Sequence, residues 1–442
     1  MDDPTLNQQK TKEWEALFGL PQEVKFCKIC CMSNQRPNAK NEYAHHKETR
    51  STTIQFDEEG VCAACRNKEK QHREINWEQR EKELMELCHQ YRRNDGRYDC
   101  VVPGSGGKDS VYASWMLKYK YNMHPLTVTW SPHLYTDVGW RNFQNWIHKG
   151  GFDNILFTPN GKVHRLLTRL AVMNLLHPFQ PFILGQKTIG IKTSYLYDIP
   201  LCFYGEMPGE YDGMTDGAKE KRWTDTPGQG FRLDWVRENS DISHLHLGGA
   251  SIKEIIEKHN VSQADLMSYV PLSYEKIQEK KIQVFYLGYF LKWDPQEAYY
   301  FSVEKTGFEA NPVRTEGTYS KYNSLDDKID GFFYYTAFIK FGYGRATQDA
   351  AQEVRNKKIT TEEARALIKK FDGEFPKRYY REFLEYVGMT DEEFRDHCDR
   401  FRSPHLWAKV HGEWKLRHTV NQDGLDDKSQ PVENKQYASK NS

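Results

Sequence analysis

The sequence has little of what marks a membrane or secreted protein. The 442 residues contain no run of about 18 apolar residues, the length that a membrane-spanning helix needs. No charged segment followed by an apolar one opens the chain. We therefore expect neither a membrane span nor a signal peptide, and we predict a cytoplasmic protein.

An excess of charge is also missing. The 62 Lys and Arg residues balance the 62 Asp and Glu residues, which gives a formal net charge of +0. Proteins that grip nucleic acid over a broad surface need a basic face. The balance disfavours a nucleic-acid partner, although it leaves room for a local basic patch.

Internal repeats are not visible, and the length suggests roughly two or three domains. The composition and the pattern of elements predict four segments. They are a tail with a four-cysteine ribbon (1–75), an α/β domain (76–245), a mainly helical region (246–418) and a disordered polar tail (419–442).

Nine cysteines are present, and four of them form two C-x-x-C pairs. Cys27 and Cys30 make the first pair, and Cys62 and Cys65 make the second. Two such pairs present four thiolates to one tetrahedral ion, so we predict a structural zinc ribbon without an open coordination position. A persulfide relay through one pair is the alternative, and Cys31 is predicted to be a spare thiol.

The stretch DCVVPGSGGKDSVYASW, residues 99–115, has the order strand, glycine-rich loop, helix. Glycines allow the loop N–H groups to converge, and the helix adds the positive end of its dipole. Neither the Walker A pattern nor G-x-G-x-x-G is present. The loop is nevertheless typical of a phosphate cradle.

Strands and helices alternate after this loop, which predicts a parallel sheet with crossover helices. Predicted strands are 125–130, 154–158 and 199–204, and predicted helices are 76–93, 111–121, 140–149 and 163–176. Ligands bind beyond the carboxyl ends of such strands. One of these ends continues as GEMPGEYDG (205–213), whose carboxylates Glu206, Glu210 and Asp212 suit magnesium or form a solvated acidic turn.

The last third of the chain is predicted to be helical because it carries several helix caps. Asp294, Thr360 and Thr390 each precede an acidic residue at the third helical position, and Gly307, Gly373 and Gly388 fall where helices should stop. The aromatic-rich segment 317–348 suits either sugar or phosphate recognition or simple core packing.

Taken together, these motifs resemble one family. SGGKDS resembles the PP-loop of the ATP pyrophosphatases, which holds the pyrophosphate end of ATP. Together with CKIC and CAAC, YGEMPGEYDG, EGTYSKYNSLDDKIDGF and KFGYGRATQDAAQEVRNKKITTEEA, it resembles the N-acetyl sugar amidotransferases of bacterial lipopolysaccharide O-antigen and nonulosonic acid synthesis. The resemblance covers most of residues 24–410.

The resemblance implies a doubly wound α/β fold of the adenine nucleotide alpha hydrolase type, with an N-terminal zinc ribbon and a helical C-terminal region. It implies an acetamido sugar as substrate and ATP, Mg²⁺ and Zn²⁺ as cofactors. The implied ATP-binding residues are Gly104, Ser105, Gly106, Gly107, Lys108, Asp109 and Ser110. The implied catalytic residues are Asp109, Glu206 and Lys108, and the implied substrate-binding residues are Glu210, Tyr211, Asp327, Lys340 and Arg345.

The resemblance implies an ATP-dependent conversion of the acetamido group of the sugar into an acetamidino group through an adenylylated intermediate. This reaction needs ammonia, and no glutaminase nucleophile is evident. The chain opens with Met1 rather than cysteine, and neither Cys100 nor Cys202 lies on a glycine-rich elbow. We therefore expect partners resembling the glutaminase and cyclase subunits of imidazole glycerol phosphate synthase. The rival hypotheses are a tRNA-thiolating PP-loop enzyme and a non-catalytic protein that only binds ATP.

Overall fold

A computed structural model of the chain describes residues 14–37, 53–205 and 241–425. The strands in these residues are β1 (Cys100–Pro103), β2 (Pro125–Trp130), β3 (Asp153–Phe157), β4 (Leu201–Tyr204), β5 (His246–Leu247), β6 (Ala250–Ser251), β7 (Gln283–Tyr286), β8 (Trp407–Val410) and β9 (Glu413–Leu416). No helix in the described parts of the chain is both long and apolar enough to cross a membrane.

The helices begin with the two that precede the sheet and continue to the C-terminal region. They are α1 (Ala63–Glu74), α2 (Trp77–Tyr91), α3 (Lys108–Trp115), α4 (Asp137–His148), α5 (Gly161–Leu175), α6 (Gln180–Leu196), α7 (Ile252–His259), α8 (Gln263–Leu266), α9 (Tyr274–Glu279), α10 (Leu287–Phe290), α11 (Pro295–Thr306), α12 (Asp330–Phe341), α13 (Arg345–Arg355), α14 (Thr361–Phe371), α15 (Tyr380–Val387) and α16 (Asp391–Arg400). A π-helical turn, Met116–Lys120, extends α3.

The central sheet confirms the predicted parallel α/β fold. Within the described residues it has five strands in the order β3-β2-β1-β4-β7, and every pairing is parallel. The chain builds outward from β1 to β3 and then returns to the other side of β1 with β4. The order therefore reverses between β1 and β4, which is where doubly wound sheets bind their ligands.

The strands β1, β2 and β4 are buried on both faces, which explains why they are mainly apolar and have no charged side. Val101, Val128 and Cys202 pack into the core beneath α5 and α6. Their neighbours Val102 and Phe203 pack into a second core on the opposite face, which includes residues of α2 and α3. This alternation follows the two-residue period of a strand and gives a three-layer arrangement.

The sheet extends beyond the predicted boundary at residue 245. Strand β7 pairs with β4 along its whole length, from Leu201 opposite Gln283 to Tyr204 opposite Tyr286. It lies in the region predicted to be mainly helical, because four residues give too short a pattern to distinguish from a helix. The α/β unit thus continues into the predicted C-terminal segment.

The N-terminal ribbon packs on the C-terminal helices. One core joins Cys30 and Cys62 to Phe341, Ala351 and Trp407. At the other end of the chain, Val420 is buried against Ala350 and Ala364, so the start of the predicted tail is folded. Residues 426–442 of that tail lie outside the described residues.

Candidate functional site: a cleft beside the PP-loop

The SGGKDS loop, residues 105–110, follows β1 at the point where the strand order reverses, and it is called the PP-loop below because of its resemblance to that motif. Gly106 has φ +82°, and a Cβ on it would lie 2.7 Å from Cα of Phe143 in α4. Only glycine fits there, because the backbone is left-handed and α4 passes at contact distance. Gly107 caps α3 with φ −68° and ψ 165°, which aims the start of the helix toward the loop.

Ser110 holds the loop from behind. Its hydroxyl accepts a hydrogen bond from the Gly106 N–H at 3.1 Å and donates one to the Gly107 carbonyl at 2.9 Å. Gly104 lies against the same serine, since a Cβ there would meet the Ser110 Cβ at 2.1 Å. Both residues, predicted to bind ATP, thus shape the loop, whereas Ser105, Gly106 and Gly107 line the cleft in front of it.

Lys108 and Asp109 line the same cleft and bind each other. The Lys108 ammonium lies 2.8 Å from Oδ2 of Asp109, and their side chains are 13% and 27% exposed. The indole N–H of Trp293 donates to Oδ1 of Asp109 at 3.1 Å. Sequence reasoning missed Trp293, because it is separated from the loop by 184 residues and belongs to no motif.

The cleft has a volume of about 350 Å³ and runs from the PP-loop to α13. Five side chains of α13 line it: Arg345, Gln348, Asp349, Gln352 and Arg355. Their spacing places them on one face of the helix, while Ala346, Ala350 and Ala351 are fully buried on another. The predicted site residue Arg345 therefore faces the same space as the PP-loop.

Two carboxyl groups lie between the loop and α13. Burial raises the pKa of Asp326, although a hydrogen bond with Ser105 of the PP-loop acts in the opposite direction. Burial also raises the pKa of Asp330 to about 7, against the effect of Arg345. The cleft thus places carboxyl and guanidinium groups side by side, an arrangement suited to a ligand with both donors and acceptors.

Asp327, predicted to bind substrate, lies behind the cleft instead. Its carboxylate is 2.7 Å from both the backbone N and the Nδ1 of His133, and it is 4% exposed. These bonds fix the loop that carries Asp326, whose Cα lies 2.4 Å from a Cβ built on Gly139. The sequence pair Asp326-Asp327 thus divides into one residue that lines the cleft and one that anchors it.

The structure also corrects the prediction for Lys340. Its side chain is 1% exposed, and its ammonium donates to the carbonyl of Leu175 at 2.6 Å. Leu175 ends α5, so the lysine satisfies one of the free carbonyls at a helix terminus. Lys340 is therefore a buried helix cap away from the cleft. The sequence could not predict this, because a single cation in an aromatic run does not show which way its side chain faces.

Three predicted site residues, Glu206, Glu210 and Tyr211, lie outside the described residues, as does Asp212. The described residues break off after Gly205, which directly follows β4, and resume at residue 241. A Cβ on Gly205 would lie 2.7 Å from the carbonyl oxygen of Asp109, so the end of β4 meets the first turn of α3.

The four predicted metal ligands converge. The sulfur atoms of Cys27, Cys30, Cys62 and Cys65 lie within 4.8 Å of one another. Cys27 and Cys65 are 3.8 Å apart and Cys30 and Cys62 are 3.6 Å apart, close to the ~3.8 Å edge of a tetrahedron with zinc–sulfur bonds of about 2.3 Å. The residues fit a closed tetrahedral metal site.

Two comparisons with known proteins cover parts of the chain only. An uncharacterized protein of Methanocaldococcus jannaschii is 32% identical over 83 residues, which are 19% of this chain and 29% of that protein. The structure of the U34-tRNA thiolase NcsA from Methanococcus maripaludis, with its [4Fe-4S] cluster, matches with a TM-score of 0.28 and 10% identity over 75% of this chain and 90% of that one. A likeness this slight does not inform the function.

A family model matches the region that forms the far wall of the cleft. It is described as the C-terminal domain of WbpG-like LPS biosynthesis proteins, and it covers residues 316–421. This span includes α13 with its polar face, together with α12, α14, α15 and α16. Residues 316–421, called the WbpG-like domain below, are thus similar to the C-terminal domain of WbpG-like lipopolysaccharide biosynthesis proteins.

Proposed function

We propose that the protein is an ATP-dependent amidotransferase that converts the acetamido group of a sugar into an acetamidino group. The observation that carries this proposal is the shared cleft. The PP-loop lines one side, and α13 of the WbpG-like domain lines the other. A phosphate cradle that faces a polar, family-specific wall suits a reaction between ATP and a second substrate.

The chemistry explains why such a cleft is needed. An amide carbonyl is a poor electrophile, so its oxygen first attacks the α-phosphorus of ATP and pyrophosphate leaves. Ammonia then adds to the activated carbon, loses a proton, and AMP departs with the former carbonyl oxygen. Catalysis of both steps depends on positioning and on stabilising the charge that develops on phosphate.

The proposed roles follow the positions of the residues. The Gly107 N–H, the start of α3 and the Lys108 ammonium would hold the pyrophosphate end of ATP. Asp109 would orient Lys108 or hold magnesium, because a carboxylate in direct contact with phosphate is repelled. Arg345 and the amide side chains Gln348 and Gln352 would bind the polar groups of the sugar.

The two metals have different proposed roles. Zinc would bind at the four cysteines as a structural ion, since these residues are at most 6% exposed and four thiolates leave no open position. Magnesium would bind with ATP beside the PP-loop, where it neutralises phosphate charge. Glu206 and Glu210 remain proposed contributors to that second site.

Ammonia would come from a glutaminase that works with a cyclase-type partner in the cytoplasm. None of the nine cysteines offers a clear nucleophile. Burial raises the pKa of Cys100 and Cys202 well above that of a free thiol, so both are poor nucleophiles. A separate glutaminase is therefore part of the proposal.

The test is incubation of the purified protein with diacetamido sugars, free or nucleotide-linked, together with ATP and ammonium. Mass spectrometry should show a loss of about 1 Da as oxygen is replaced by NH in the product, with release of AMP and pyrophosphate. Asp109→Asn and Ser105→Ala should each lower turnover roughly a hundredfold, the scale of losing a positioned polar group.

Asp95→Asn is the matched control, because Asp95 is an exposed carboxylate paired with Arg97 on the surface. It should leave turnover unchanged. Binding of ATP without AMP formation from any acetamido sugar would favour the non-catalytic alternative. Sulfur transfer to tRNA, lost on Cys62→Ser with the fold intact, would favour the thiolating alternative.

A further inference from the structure

The four-cysteine cluster and the cleft share a residue. Arg355, at the end of α13, lines the cleft and is 7% exposed. Its Nη1 lies 3.6 Å from Sγ of Cys30, one of the four converging cysteines. A single guanidinium therefore touches both the metal site and the space in front of the PP-loop.

Arg36 is placed in the same way. It lines the cleft, and its charge interacts with Arg355, Cys30 and Cys62. A divalent ion bound by four thiolates carries a net charge of −2, so two guanidinium groups balance it.

Further contacts join the ribbon to the same end of α13. The ring Nε2 of His72, in the helix that follows Cys62, lies 3.3 Å from the carbonyl oxygen of Arg355. Ala351, one turn earlier, packs in the core that contains the cysteines. The position of Arg355, which lines the cleft, is thus set from the ribbon side.

We propose that the metal-loaded cluster positions Arg355, with Arg36 beside it, as an anion-binding wall opposite the PP-loop. Metal binding at the ribbon and binding of ATP in the cleft then favour each other, since both depend on the same arrangement of the two guanidinium groups. This inference rests on the proposed binding of ATP and metal. It assigns to the ribbon a role in ligand binding beyond that of a structural support.

The test uses the full-length, metal-loaded protein and ATP as the probe. Arg355→Gln should raise the Kd for ATP roughly tenfold or more, the scale of a lost charge-assisted hydrogen bond. The same variant should release its metal faster to a chromophoric chelator. ATP should slow that release in the unsubstituted protein but not in the variant.

Arg365→Gln is the matched control. Arg365 interacts with Cys31, which lies next to the cluster but outside it, and Arg365 does not line the cleft. Its Kd for ATP and its metal release should remain unchanged. If Arg355→Gln does not fold, Arg355→Lys and the visible spectrum of the cobalt-loaded protein replace it, and ATP should shift the cobalt bands only in the unsubstituted protein.

The outcomes separate this inference from the proposed function. Failure of the unsubstituted metal-loaded protein to bind ATP would overturn the proposed function and this inference with it. Normal ATP affinity in folded, metal-loaded Arg355→Gln would overturn this inference alone. Weaker ATP binding with unchanged metal release would make Arg355 a residue of the cleft only and would also overturn the proposed coupling.

Discussion

Single residues show how far a motif can be interpreted without its surroundings. The pattern SGGKDS predicts a phosphate cradle, and the structure places Ser105, Gly106, Gly107, Lys108 and Asp109 along one cleft. The pattern does not show that the Ser110 side chain faces into the protein, because a sequence motif carries no information on the direction of each side chain. The division between residues that line the cleft and residues that shape the loop comes from the folding of the loop, in which Ser110 bonds to Gly106 and Gly107 from behind.

Gly106→Ala tests that division. The φ of Gly106 is +82°, and a Cβ on this residue would lie 2.7 Å from Cα of Phe143. The substitution should therefore lower the free energy of unfolding by on the order of 1–3 kcal/mol and displace the loop. Gly107→Ala is the matched substitution, because the nearest atom to its Cβ is Oγ of Ser105 at 3.6 Å. The free energy of unfolding of Gly107→Ala should fall by less than about 1 kcal/mol.

Urea unfolding measures the two stabilities, and isothermal titration with ATP measures the state of the loop in Gly106→Ala. We expect weaker ATP binding in that variant. Equal stability of the two variants would show that the passage of α4 does not constrain Gly106.

Asp330, which lines the cleft, should make the stability of the fold depend on pH. Burial raises its pKa from the ordinary 3.8 to about 7, so the folded state holds the proton more tightly than the unfolded state. Its contribution to stability is therefore complete below pH ~4 and is lost as the pH rises through about 7. The side chain of Asp330→Asn does not titrate. As the pH rises over this range, the free energy of unfolding of the unsubstituted protein should therefore fall relative to that of the variant by up to roughly 3 kcal/mol.

Urea unfolding of both proteins from pH 4 to pH 8 measures this difference. Glu304→Gln is the control, because its side chain is 72% exposed and should show no comparable trend. A constant difference between Asp330→Asn and the unsubstituted protein would mean that the carboxyl group is solvated in the folded state.

At the scale of elements, local patterns predict well where the chain itself supplies the partner. Thr360 and Thr390 form capping boxes with Glu363 and Glu393, and Asp294 caps α11, as the spacing predicts. Gly307 and Gly388 end helices in the left-handed conformation that favours glycine. In each case the hydrogen-bonding groups lie within a few residues of each other.

Patterns predict poorly where an element depends on distant residues. Strand β7 is recognised as a strand only by its pairing with β4, and Lys340 is a buried cap because α5 ends beside it. The contact between Cys30 and Arg355 spans 325 residues. No local signal joins such residues, so the sequence predicted the two walls of the cleft but not the link from its far wall to the ribbon.

The ribbon is an element whose stability should depend on its metal. Cys27→Ser with Cys30→Ser should abolish metal binding and destabilise the core that the cysteines share with Phe341 and Trp407, by on the order of several kcal/mol. Cys31→Ser is the control, since this buried thiol lies outside the converging four. It should retain one metal ion per chain.

Elemental analysis of the purified variants measures the metal, and thermal unfolding measures the stability. Metal retained after the double substitution would show that the four cysteines are not its ligands. Equal stability with and without metal would show that the shared core holds the ribbon unaided.

At the scale of the whole molecule, the cleft lies where three parts of the chain meet. The sheet supplies the PP-loop, the WbpG-like domain supplies α13, and the ribbon supplies Arg36 and a contact to Arg355. The sequence predicts each part separately, and the motifs on which the family resemblance rests are spread over all three. Because the cleft is built from all three parts, a single motif such as the PP-loop describes only one of its walls and cannot identify the reaction.

The last prediction concerns the source of nitrogen for the proposed reaction. Without an evident nucleophile for glutamine hydrolysis, the protein alone should use free ammonium and fail with glutamine, whereas a glutaminase partner should restore activity with glutamine. Unprotonated ammonia is the nucleophile, so rates with ammonium should rise with pH through the neutral range as its fraction grows. Rates with the partner should rise less, because ammonia that passes directly between the proteins reacts before it is protonated.

Product formation at several pH values, with each nitrogen source, measures both trends. Glutamine-dependent turnover by this chain alone, with contaminating glutaminase excluded, would reveal a second catalytic site and make the partner unnecessary.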